Sequence, residues 1–393
     1  MRRADVVVAG GGLGAVRTAQ ALRDLGFDGT IALVAAEPEL PYDRPPLSKE
    51  FLLGRSSEDD IRLVPATTFA DLGVDLLLGA PALSLDLAAR RLVLAGGDAL
   101  GYGRLVVATG ARPHRLANLE DYDNVRYLRT LADARELRDA LVARPRVGIV
   151  GGGFIGLEIA AVATELGCGV SVIEGAPAPL ALVLGTELGG WIQEWHEGRG
   201  VAFACGSQVR RSHGGRSVEA LELESGLRLD VDLVVVGIGV VPDVAWLRHS
   251  GLDVHRGLVC DADGRSSDAS VFGVGDAVCR HDDRGCHTSG HWTAASEQAR
   301  IVAAAMVGNA RPDAVVEDGY FWSDQYGVRL QFAGVAEPGA PVAVTSGSVE
   351  ERRFVARFGP PTARTGVFAM DSPREFVRTR LSLRAAQATG VTS

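Results

Sequence analysis

The stretch DVVVAGGGLGAVRTAQALRDLG, Asp5 to Gly26, decides the fold. A short apolar run is broken by three glycines, and from Leu13 apolar residues return every three or four positions. That order predicts a buried strand, a tight turn and a helix. Gly10, Gly12 and Ala15 fit the spacing of a dinucleotide-binding turn, with Leu13 and Gly14 opening the helix. Such glycines let the backbone approach a pyrophosphate, which rests on the helix N-terminus where free N–H groups favour negative charge. A second strand, TIALVAAE, is expected to end at Glu37, an acid placed to accept hydrogen bonds from ribose hydroxyls.

The pattern then recurs. RVGIVGGGFIGLEIAAVATELGCGVSVIE supplies Gly151, Gly153 and Gly156, a helix, and a strand ending at the acid Glu174. Two complete fingerprints predict two separate dinucleotide sites. A carboxylate at Glu174 suits the 2′-hydroxyl of NADH and repels the 2′-phosphate of NADPH. The following GAPAPLALVLG offers no arginine, so NADH is the expected nucleotide. Between the fingerprints, LGYGRLVVATGARPHRL reads as a buried strand closing on Ala108, Thr109 and Gly110. Later, LDVDLVVVGIGVVPD provides a matching strand with Gly237, and SSDASVFGVGDAV places Gly275 and Asp276 after a strand and turn. The chain therefore reads as a nucleotide-binding core into which a second is inserted before the first is finished.

Bulk properties set the frame. At 393 residues, 47% apolar and 23% charged, the chain has the composition of a multidomain globular protein. A net charge of −9 argues against a general nucleic-acid binder. No apolar run approaches the roughly 18 residues of a membrane span, and the start, MRRADVVVAGGG, does not read as a secretory leader. Five scattered cysteines without a Cys-x-x-Cys pair predict reduced thiols in the cytoplasm. Lys49 is the only lysine among 40 strongly basic residues, in LPYDRPPLSKEFL. A chain that otherwise writes arginine has a compact point charge here, able to fit against a partner's ring edge.

On the motifs PYDRPPLSK, ATGARP, GGGFIGLE, VVVGIGVVP, VGD and YFWSDQYG, the chain resembles the two-dinucleotide-binding flavoproteins. Within them it is similar to the NADH-dependent ferredoxin reductases of the putidaredoxin-reductase and dioxygenase type, over nearly its whole length. The resemblance implies an α/β fold with two Rossmann-like domains, for FAD and NAD, and a C-terminal α+β domain with a small antiparallel sheet. It implies an FAD domain from 1–113 and 241–317, an NAD domain over 114–240, and an interface domain over 318–393. FAD would lie on Gly10, Gly12, Leu13, Gly14, Glu37, Ala108, Thr109, Gly110, Gly275 and Asp276. Arg44, Pro45, Lys49 and Trp292 would lie along the flavin, Ala82 near the adenosine, and Arg129 toward the phosphates. NADH would be held by Gly151, Gly153, Ile155, Gly156, Glu174 and Gly237. Glu158 would face Lys49 beside the flavin's reactive nitrogen, and Trp322 with the WSDQ turn would cover the opposite face. This chain departs from the family in two places: Ala35-Ala36-Glu37 replaces a common Gly-Asp-Glu, and Ala178 and Leu182 stand where arginines are usual.

No cysteine occurs from Met1 to Gly167. The resemblance places the relay thiols of disulfide reductases in that region, so electrons are expected to leave the flavin directly. The expected acceptor is a [2Fe-2S] ferredoxin feeding a cytochrome P450 or Rieske oxygenase. From Glu351 onward eight arginines face three acids, which suits an acidic ferredoxin. Arg352, Arg353, Arg374, Arg378 and Arg380 are the candidates. Cys279, His281, Cys286, His287 and His291 crowd CRHDDRGCHTSGHW, but their spacing fits no common zinc pattern. An exposed polar loop without metal is expected there. No segment reads as a dedicated dimer helix, so a monomer or weak homodimer is expected. Direct reduction of oxygen or quinones, a rubredoxin partner, and an NADH-sensing flavoprotein stay open.

Overall fold

The computed structural model describes residues 2–282, 285–288, 290, 292–312, 318–337, 339–360 and 365–389. The opening stretch folds as its pattern predicts, into strand Arg2–Ala9 and helix Leu13–Asp24. Val6 to Ala9 are wholly buried, because parallel neighbours flank the strand and both of its faces are covered. In spatial order the sheet runs Val74–Leu77, Ile31–Val34, Arg2–Ala9 and Ala99–Val107. Val271–Gly273 returns from late in the chain to pair in parallel with Ala99–Val107. One sheet thus takes strands from both early and late in the chain. Met1–Asp43, Glu58–Arg112 and Val240–Glu317 form this first compact unit.

A second unit is formed by Arg44–Ser57, Pro113–Gly239 and Asp318–Ser393. Its parallel sheet has the order Ala202–Cys205, Gly169–Glu174, Arg146–Val150, Leu233–Val236 and Val125–Tyr127. The C-terminal part is a five-stranded antiparallel sheet, beginning with Phe321–Gln325 and Val328–Gly334, with helix Pro373–Thr389. Leu330, Phe332, Phe354 and Phe368 of this sheet share one core with Leu157, Leu184, Leu188 and Trp195. Those partners come from helices Phe154–Glu165 and Ala181–Glu197. Each such side chain contributes roughly 1.5–3 kcal/mol on burial. Together they offset the several kcal/mol that enclosing a charged pair at this junction costs.

Three expectations need correction. Strand Ile31–Val34 stops three residues before Glu37, because its partner Val74–Leu77 is equally short. WSDQ is not a turn: it lies inside strand Phe321–Gln325, and the reversal falls on Tyr326 and Gly327. The Cys279 loop is a hairpin, Val278–Asp282 with Gly285–His287, in which buried Cys279 is disulfide-bonded to Cys286. The hairpin register sets these two residues diagonally on one face, a proximity that spacing in sequence does not reveal. Only Cys168, Cys205 and Cys260 are free. His291 lies outside the described residues. Among the described residues no helix is long and apolar enough to cross a membrane, and no cluster of His, Cys, Asp or Glu is arranged to hold a metal.

Candidate active site

Each fingerprint glycine has a distinct physical reason. Gly10 has φ +146°, and a methyl there would sit 2.0 Å from the Ala108 carbonyl oxygen. Gly151 matches it, with φ +112° and 2.4 Å to the Gly237 carbonyl oxygen. Gly14 would meet Val274 at 2.8 Å, and Gly156 would meet the Gly151 carbonyl oxygen at 2.2 Å. These positions are demanded by the protein's own turn and packing. Gly12 and Gly153 are not: a methyl on Gly12 meets nothing within 4 Å, and one on Gly153 only a carbonyl oxygen at 4.0 Å. Glycine at these two places leaves the backbone open to an external group.

Both turns lead into helices whose N-terminal N–H groups receive no side-chain cap. Helix Leu131–Leu141 behaves differently, for Thr130 and Asp133 close a full capping box on it. The two fingerprint helices thus keep N-terminal N–H donors that an anion can take. Partly exposed Leu13 and exposed Ile155 flank those ends, Ile155 at 41%. The acids are held by different means. Glu174 accepts from the Gly152 N–H at 2.6 Å and the Ala176 N–H at 2.8 Å. Glu37 instead accepts from the Tyr42 hydroxyl. The donor sets fit two dinucleotides: N–H groups for pyrophosphates and carboxylates for ribose hydroxyls.

Other expected residues of the first unit lie on several of its elements. Ala108 is buried, Thr109 donates to the Asp243 carbonyl at 2.6 Å, and Gly110 accepts from Asp243 N–H. Gly275 has φ +74° and donates to Gln298 at 2.7 Å, and it opens the one-turn helix Gly275–Ala277 that carries Asp276. The Trp292 indole donates to Asp43 at 2.7 Å, and Ala82 opens the strand Ala82–Asp86. Arg44, Pro45, Lys49, Arg129 and Trp322 belong to the second unit. Arg129 precedes the Thr130 cap, and Trp322 stacks on Tyr320 at 6.1 Å.

The most concentrated chemistry is the Lys49–Glu158 pair. Nζ lies 2.8 Å from Oε2, and the side chains are only 9% and 4% exposed. Helix Phe154–Glu165 is apolar on almost every side, so Glu158 is carried into the interior by its neighbours. Lys49 follows the short helix Pro45–Ser48 and also donates to the Pro45 carbonyl at 3.0 Å. An ammonium has three donors, so one is left without a partner among the described residues. Ser48 donates to Oε2 and Ser323 to Oε1, the latter at 2.6 Å. Beyond Ser323 come Gln325, His196 and Tyr326. Sequence reasoning quoted Ser48, Ser323, Gln325 and Tyr326 only inside motifs and gave none of the five residues a place at Glu158. The available signal was strand alternation, which puts Ser323 and Gln325 on the buried face.

The free thiols are poor redox relays. Burial raises Cys168, pushes Cys260 up to about 12, and, with Glu174 and Glu197 nearby, pushes Cys205 up to about 11. Thiolate is the reactive form, and these positions suppress it. Among the candidate docking arginines, Arg352, Arg353, Arg374 and Arg378 are exposed. Arg380 is not a spare charge, for it pairs with buried Asp318 at 2.6 Å.

Two uncapped glycine cradles and a buried lysine–carboxylate pair define an oxidoreductase that uses FAD and NAD(H). The chain belongs to the pyridine nucleotide-disulphide oxidoreductase family, whose model matches residues 4–299, and a reductase C-terminal model matches 320–391. It is 38% identical to the ferredoxin–NAD(+) reductase component of the anthranilate 1,2-dioxygenase system of Burkholderia cepacia, over 86% of this chain and 84% of that protein. Its identity to putidaredoxin reductase of Pseudomonas putida is 33%, over 95% and 90% of the two chains. The crystal structure of the covalent putidaredoxin reductase–putidaredoxin complex superposes with a TM-score of 0.91 at 32% identity, over 97% of this chain and 93% of that one.

Proposed function

We propose that this protein is an NADH:ferredoxin oxidoreductase delivering single electrons to a [2Fe-2S] ferredoxin that serves an oxygenase. The paired cradles carry this reading, supported by the similarity to ferredoxin reductases. FAD, when bound, takes two electrons as hydride from NADH and releases them one at a time. The first cradle holds it through Gly10, Gly12, Leu13, Gly14, Glu37, Gly275 and Asp276, with Ala82, Ala108, Thr109, Gly110 and Trp292 beside it. Gly151, Gly153, Ile155, Gly156, Glu174 and Gly237 hold NADH. The division into 1–113 with 241–317, 114–240 and 318–393 follows those roles.

Lys49 and Glu158 are the residues we place at the reacting centre, with Arg44, Pro45, Arg129 and Trp322 along the cofactor. Lys49 offers its remaining N–H to charge developing on the ring, and Glu158 keeps the ammonium oriented. Enclosure in a nearly dry setting strengthens both effects. Exposed Arg352, Arg353, Arg374 and Arg378 steer an acidic partner. The setting is cytoplasmic and the assembly at most a weak homodimer.

The test is NADH-driven cytochrome c reduction by the FAD-loaded protein, with and without a [2Fe-2S] ferredoxin. Rapid reduction only with ferredoxin is expected. Equal rates without it, or slow turnover with every acceptor, would overturn the assignment.

A further inference from the structure

We propose that Tyr326, His196, Gln325 and Ser323 form a one-directional positioning chain that fixes the Glu158 carboxylate against Lys49. This rests on the reading that places the Lys49–Glu158 pair at the flavin. The links are Tyr326 hydroxyl to His196 Nδ1 at 2.9 Å and His196 Nε2 to Gln325 Oε1 at 2.7 Å. Gln325 Nε2 then meets Ser323 Oγ at 3.0 Å, and Ser323 Oγ meets Glu158 Oε1 at 2.6 Å.

Donor chemistry sets the direction of every link. A carboxylate paired with an ammonium only accepts, so the Ser323 hydroxyl donates to it. The Ser323 oxygen must then accept from the Gln325 amide nitrogen, which leaves the Gln325 oxygen to accept in turn. His196 therefore carries its proton on Nε2 and presents a bare Nδ1 to Tyr326. Both outer groups suit this arrangement. Burial holds the His196 imidazole at about 4, with Arg199 also lowering it and the Gln325 bond opposing. Burial pushes Tyr326 up to about 12, so its hydroxyl stays a donor. All four donors point toward Glu158, an alignment in which each bond polarises the next. The amide in the middle cannot pass a proton without leaving its stable tautomer, so the chain transmits orientation and dipole rather than protons.

A backbone observation supports the assignment. Tyr326 and Gly327 make a two-residue hairpin turn with φ +52° and +75°. Such turns favour Asn-Gly, and a bulky residue at the first position is strained. The Tyr326 ring packs edge-on to Trp195 and His196, with the Arg199 guanidinium 4.3 Å from its centroid. The turn tolerates an unfavourable residue whose hydroxyl starts the chain.

The composition of this protein supplies a clean reporter. Lys49 is the only lysine, so labelling with [15Nζ]lysine gives a single side-chain ammonium signal in the FAD-loaded protein. The variants are Gln325→Leu, His196→Leu, His196→Gln and Tyr326→Phe, with Glu158→Gln as reference. Gln325→Leu and His196→Leu should move the Lys49 signal toward its Glu158→Gln position and slow flavin reduction by NADH about tenfold. NADH affinity should stay within about twofold, a loss in rate rather than binding. His196→Gln keeps an N–H for Gln325 and should restore most of the rate. Tyr326→Phe keeps its ring and should cost about threefold. An unmoved Lys49 signal in Gln325→Leu and Tyr326→Phe would overturn the chain, whatever the rates do. If the signal moves but Glu158→Gln reduces flavin at the normal rate, the chain stands and the placement of the pair at the flavin falls.

Discussion

The two glycine cradles follow one design but secure their acids differently. In the second, Glu174 is gripped by two backbone N–H groups, that of Gly152 in the glycine turn and that of Ala176 just past its own strand. In the first, Glu37 lies beyond its strand and is held by a side chain, the Tyr42 hydroxyl. A carboxylate bonded to the turn shares the turn's rigidity, whereas one held by a hydroxyl depends on a rotamer. The repeat in sequence thus gives each cradle an acid by a different structural means.

Several substitutions probe this comparison. The largest effect is expected from Gly10→Ala and Gly151→Ala, where a methyl meets a carbonyl oxygen at 2.0 and 2.4 Å in a left-handed backbone. Each should cost about 3 kcal/mol or more. Thermal unfolding and flavin content would show loss of FAD in the first and retention of FAD without NADH binding in the second. Unchanged melting would contradict the glycine assignments.

Acid acts on the second unit through His196, whose pKa is held near 4 against an ordinary 6.5. As pH falls, the unfolded chain takes up the proton first. The stabilisation is therefore full above about 6.5 and is lost progressively toward 4, by roughly 3 kcal/mol. Melting curves of His196→Asn should be flatter than wild type across that window, and parallel curves would count against the buried neutral imidazole.

Gly12→Ala and Gly153→Ala separate ligand from fold. Neither methyl meets a close protein atom, so stability should change by no more than about 0.5 kcal/mol. Binding of FAD and NADH, respectively, should weaken about tenfold, roughly 1.4 kcal/mol. A large fall in melting temperature would mean that packing requires these glycines after all. The smallest effects belong to the acids. Glu174→Gln should weaken NADH about fivefold, and Glu37→Gln should weaken FAD only about twofold. Isothermal titration would show the order, and a reversed order would remove the contrast between the two means of support.

The cradles were legible because steric limits on φ and on backbone approach leave little choice but glycine at Gly10 and Gly151. Lys49 was legible because composition isolates it. Its partner Glu158 could be named only through a family likeness. The polar chain behind Glu158 was not legible: Ser323 and His196 lie 165 and 129 residues from their partners, and no period links them. The pairing of Cys279 with Cys286 was not expected for a related reason, since a hairpin register, not a motif spacing, brings them together. Arg380 read as a surface charge because Asp318, which binds it, lies 62 residues away.

The central claim is that electrons pass from NADH to the flavin and outward without a thiol stage. An anaerobic titration of the FAD-loaded protein with NADH tests it by counting stored electrons. The account predicts complete bleaching at one equivalent of NADH per flavin, with the Cys279–Cys286 disulfide untouched. Uptake of a second equivalent that disappears in Cys286→Ser would place that disulfide in the circuit and contradict the account.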